Sequence, residues 1–180
     1  MLLATLILAE LLSYPSSAAD ADQSTPYARL AHVRHVDHMC ADLIRRGTAG
    51  SRTFRDLVAR IESSDIIVYV ERGQRLRTGV VGMTRLAGQA GRYRYVRVSI
   101  DRRVAGDEAV AIVGHELYHV TELAGAPYVV DGVGVRELYM TLGHRTCSGD
   151  PPCFDTAGAR RAGDDVLREL RAEQMDEATR

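Results

Sequence analysis

The run AIVGHELYHVTELAG, residues 111–125, decides how this chain is read. Within it, His115 and His119 stand four residues apart with Glu116 directly after the first. On a helix, positions i and i+4 lie one above the other on the same face. Both imidazoles can therefore point at a single ion, which is what a divalent zinc asks of its first two protein ligands. Glu116 falls about 100° further round a helix of 3.6 residues per turn. It can reach a metal-activated water without ligating the metal, and act there as general base and then general acid.

The surrounding residues support a helix from about 107 to 125. Val110, Val113, Leu117, Val120 and Ala124 make an apolar stripe on the side away from His115 and His119, so the histidines are expected to face a cleft. Gly114 is expected to admit a strand or substrate close to the helix. Gly125, with Pro127 beyond, ends it. Upstream, helical spacing predicts a helix over residues 28–46 stopped by Gly47, and a second over 51–62 burying Phe54, Leu57, Val58 and Ile61. Strands are predicted over 66–70, 78–87 and 93–100; in the last, Val96, Val98 and Ile100 share one face and Tyr95, Arg97 and Ser99 the other. Downstream, helices are expected over 133–142 and from Asp155 into the 170s, the latter burying Ala159, Ala162, Val166 and Leu170. Helices, then three strands, then helices predict an α+β domain with a small, mainly antiparallel sheet.

The chain has 180 residues, 46% hydrophobic and 26% charged, with a formal net charge of −1. That is enough for one domain with its own core. It carries no basic footprint for nucleic acid. Residues 1–21 read as a secretory signal peptide: an apolar run over 2–12, too short to span a bilayer, precedes small residues with cleavage expected after Ala19 or Ala21. The expected location is therefore secreted or periplasmic, with no stable membrane insertion once the signal is removed. Cys147 and Cys153 bracket the turn-rich SGDPP, and a disulfide between them suits an oxidising compartment. Cys40 is left over.

HELYH on a helix that follows a strand resembles the zincin superfamily of HExxH metallopeptidases. Without a downstream Gly and third His, it is most similar to small gluzincins. The specific match is confined to the motif helix, while the element order over residues 50–178 is similar to the zincin core. The resemblance implies a zincin-like fold over residues 22–180, Zn2+ as cofactor and a peptide or protein substrate. It also implies an edge strand, assigned here to 93–100, holding extended peptide above the metal, and a third ligand from a later helix, usually glutamate.

Several carboxylates compete for that third place. Asp155 leads, because the small residues of CFDTAGARRAG let the final helix approach the motif helix closely. Glu122, on the histidine face, suits better a residue orienting His119. Glu137 has a spacing from His119 close to that of larger gluzincins, and Asp131 lies in the same segment. Tyr128, Tyr139 and His144 are candidates to stabilise an oxyanion. His32, His35 and His38 drift by about 60° at each step of three, which suits a solvated helical flank better than one tetrahedral site. The reading is a zinc-dependent hydrolase, most simply a metallopeptidase with Glu116 as general base. The alternative is a non-catalytic zincin-fold binding or structural protein of the cell envelope.

Overall fold

The computed structural model describes residues 30–73, 76, 77, 79–147 and 153–179; the expected signal segment, residues 1–21, lies outside the described residues. The chain folds as an α+β protein built on a four-stranded sheet. Among the described residues, no helix is long and apolar enough to cross a membrane.

The first expected helix is two elements. Strand β1 (Val33–His35) precedes helix α1 (His38–Gly50). Val33 is buried and pairs with Val68, and the Glu62 carboxylate accepts hydrogen bonds from the amides of Ala31, His32 and Val33. Asp37 then starts the helix by accepting from the Cys40 amide at 2.8 Å, an ordinary N-cap. His32, His35 and His38 are therefore dealt to three different local structures, and no shared site forms from them. Gly47 does not stop α1. It lies inside the helix, where a Cβ would sit 2.5 Å from the Phe54 ring of helix α2 (Arg52–Glu62).

Strand β2 (Ile66–Arg72) pairs in parallel with β1 and with β4 (Tyr93–Ile100). Strand β3 (Gly82–Ala90) pairs antiparallel with β4, its one partner among the described residues. The order β1-β2-β4-β3 makes the sheet mixed, with two of three pairings parallel, rather than mainly antiparallel. It also makes residues 93–100 an interior strand, so the edge next to the motif helix is β3. The pair of helices between β1 and β2 returns the chain in parallel, while β4, joined to β3 by the tight turn after Ala90, folds back between β3 and β2 and so runs parallel to β2.

Helix α3 (Gly106–Ala124) carries the motif. Val110, Val113, Leu117 and Val120 are fully buried with Val68, Val70, Val96 and Val98 of the sheet. Arg94, inward-facing on β4, is 1% exposed and grips Asp65 through two 2.8 Å hydrogen bonds. It also donates to the carbonyls of Ala126 and Val129, tying the segment after α3 to the sheet.

Helix α4 (Gly132–Leu142) follows, N-capped by Asp131. Next come β5 (His144–Cys147) and β6 (Cys153–Asp155), a hairpin that the sequence pattern did not suggest. Cys153 is disulfide-bonded and registers opposite Cys147, while Cys40 is free and buried. Helix α5 (Ala157–Ala178) is N-capped by Thr156, so Asp155 ends β6 rather than opening the helix. The helix runs to Ala178, into the 170s as expected.

Candidate metal centre

Helix α3 lies beside α5 at a separation set by small residues. A Cβ on Gly163 would stand 3.3 Å from both the Ala111 carbonyl and the His115 Cβ. A Cβ on Gly158 would strike the Tyr118 ring, and one on Gly114 would come 2.8 Å from Val166 Cγ2. Gly114 thus admits α5, not a strand or substrate. This close approach brings the start of α5, and Asp155 just ahead of it, over the histidines.

Asp155 Oδ1 is 3.3 Å from His115 Nε2 and 3.7 Å from His119 Nε2. One ligand atom from each of the three residues lies within 4.8 Å of the others, so His115, His119 and Asp155 form a group that could hold a metal ion. The distances suit such a role. Two donors each about 2.1 Å from a shared tetrahedral ion stand about 3.4 Å apart. The donor set, two imidazole nitrogens and one carboxylate oxygen, is also one that zinc accepts with a position left open.

Outer hydrogen bonds hold the donors. Glu122 is not a member of the group. Its Oε2 is 2.8 Å from His119 Nδ1 and its Oε1 accepts from Thr156 Oγ1 at 2.7 Å. With Nδ1 turned to Glu122, Nε2 is the nitrogen that faces Asp155 and would take a metal ion once it gives up its proton. Thr156 thereby caps α5 and steadies Glu122 in one gesture, and its amide donates to Asp155 Oδ1 at 2.7 Å. Tyr139 stands edge-on to His119 with ring centres 5.3 Å apart and stacks on Phe154. Its hydroxyl donates to the His119 carbonyl at 3.1 Å, so it braces the motif helix and presents no free donor to an oxyanion.

Burial opposes charging His119, but its hydrogen bonds to Asp155 and Glu122 and the nearby Glu116 carboxylate prevail, and its pKa is raised to about 9. Burial likewise pushes Asp155 up, yet the bond to His119 and the charge of His115 hold it below the usual carboxylate range. Burial raises the Tyr139 phenol, with Glu122 adding to the effect.

Glu116 is 5% exposed and sits between α3 and the edge strand. Thr84 Oγ1 donates to its Oε2 at 2.7 Å. Gly82 makes room for the other oxygen, since a Cβ there would stand 2.4 Å from Oε1. Neither Thr84 nor Gly82 was singled out from sequence. The remaining candidates lie elsewhere. Glu137 is exposed on the cleft wall, Asp131 caps α4, Tyr128 is 74% exposed, and His144 is an exposed register partner of Asp155. A cleft of about 1000 Å3 opens over His115, Glu116, His119 and Asp155, walled by β3 on one side and α4 on the other. No family model matches the chain, and no curated protein or solved structure matches it either.

Proposed function

We propose that this protein is a zinc-dependent hydrolase of zincin-like architecture, acting as a metallopeptidase on extended peptide or protein substrates. The observation that carries the reading is the convergence of His115, His119 and Asp155 beside Glu116 at the floor of an open cleft. A bound zinc ion would polarise the scissile carbonyl and make water nucleophilic near neutral pH. The protein's own residues do the rest. Glu116 takes the proton of the attacking water and delivers it to the departing amine. Thr84 holds one carboxylate oxygen, leaving Oε1 for that exchange. Substrate lies along β3, whose outer edge has no strand partner among the described residues and can pair with extended peptide.

A disulfide at Cys153 supports the further reading that the protein works in an oxidising compartment, secreted or periplasmic. The decisive comparison is wild type against Glu116→Gln on a quenched-fluorescence peptide library, with bound metal measured in parallel. The variant is expected to keep its zinc and lose about 10²–10⁴-fold in rate. Full activity in the variant removes Glu116 as the base. Stoichiometric zinc with no cleavage by wild type supports the non-catalytic binding protein instead.

A further inference from the structure

The sheet has two unlike faces. Helices cover the side that presents Val68, Val70, Val96 and Val98. Strand alternation turns the neighbouring residues the other way. There, register places Arg34 beside Tyr69, Tyr69 beside Arg97, and Arg97 opposite Arg85, one residue from each of the four strands in a single row. All three arginines are exposed, Arg97 by 58% of its side chain.

Fold stability does not account for this row. Like charges directly opposite one another on adjacent strands destabilise the pair, and Arg85 faces Arg97 in that way. The Arg85 side chain makes no hydrogen bond or ion pair among the described residues. Arg97 shares one acid, Glu71, at 3.3 Å, and that acid also accepts from Ser99. Tyr69 receives a 2.8 Å hydrogen bond from Arg34, whose guanidinium lies 5.6 Å from the ring centre. A basic row is thus held open and braced on an aromatic ring.

We propose that this outer sheet face docks an acidic segment of a partner polypeptide. Four strands spaced about 4.8 Å apart set the row's length at about 14 Å, which an extended chain crosses in about four residues. A short acidic cluster can therefore meet all three guanidiniums, with arginine and tyrosine supplying the side chains that contribute most at protein interfaces. Arg85 also lines the cleft, so a segment on this face runs on toward β3. Docking does not require that the cleft be catalytic.

Fluorescence anisotropy of a fluorescein-labelled octaglutamate peptide tests the proposal on the whole protein at 50 and 300 mM salt. Wild type is expected to bind saturably and to weaken at the higher salt. Arg34→Glu, on the strand furthest from the cleft, and Arg85→Glu, at its rim, should each weaken binding at least about fivefold. A wild-type circular-dichroism spectrum and cooperative melting check the fold of each variant. No saturable binding, or loss confined to Arg85→Glu, overturns the proposal, the second because the cleft alone then captures the peptide. Tighter binding of an eight-nucleotide oligothymidylate than of octaglutamate overturns it as well.

Discussion

Replacing Gly82 with alanine should separate the role of Glu116 from the holding of metal. Gly82 lies on the edge strand and has no positive φ, so the backbone itself accepts alanine. The added methyl would stand 2.4 Å from Glu116 Oε1 and 2.7 Å from Ile112 Cγ2. An ordinary carbon–oxygen contact is about 3.4 Å, so Oε1 must retreat by about 1 Å. Thr84 restrains the other oxygen at 2.7 Å, and the carboxylate cannot simply rotate away. A misplacement of about 1 Å at a reacting group lowers rate by about 10²-fold. The crowding itself should destabilise the fold by about 1–3 kcal/mol, leaving it folded. The assay is kcat/KM on a quenched peptide, with zinc content and melting temperature measured on the same preparation. The expected result is full zinc occupancy, a modest drop in melting temperature and about a 100-fold loss of rate. Wild-type rate with zinc retained would refute the assignment of Oε1 as the proton-accepting atom.

Glu122→Gln removes the charge that holds His119 Nδ1 and is expected to weaken metal binding 10–100-fold, read by competition with a chromogenic chelator. The raised His119 pKa gives a signed pH dependence. A group raised from 6.5 to about 9 in the metal-free fold adds stability that is fully present below pH 6.5. That contribution, about 3 kcal/mol, is lost as pH rises through 9. Denaturant titrations of metal-free protein from pH 6 to 10 should show this loss, while zinc affinity should climb over the same range because the competing proton leaves. Arg94→Met strands Asp65 and the carbonyls of Ala126 and Val129. Because Arg94 is buried, we expect about 3 kcal/mol of destabilisation in thermal or denaturant unfolding.

Elements whose patterns are local were legible in the sequence. Residues 51–62, 93–100 and 107–125 fold as the periodicity predicts, because one buried stripe or one alternating face suffices to define each. The meeting of His115, His119 and Asp155 was legible too, since i, i+4 geometry and a run of small residues carry it. What was missed depends on partners distant in the chain. Strand β1 is three residues long and has no period of its own; it exists because Val68 and Glu62 receive it. The order of the strands depends on the helical crossover before β2 and on β4 inserting between β2 and β3, which no alternation encodes, and it moved the sheet edge from residues 93–100 to β3. Thr84 and Gly82 gained their meaning only from that edge. Arg94 did leave a trace, as a cation on the strand face otherwise given over to Val96 and Val98.

Three side chains from two separate segments are proposed to close on one cation. Zinc titration of metal-stripped protein against a chelator of known affinity, for wild type and Asp155→Ala, tests it most directly. One zinc per wild-type chain is expected, with a loss of affinity of more than about 100-fold in Asp155→Ala, beyond what an outer hydrogen-bond partner contributes. Substoichiometric binding by wild type, or equal affinity in the variant, would contradict it.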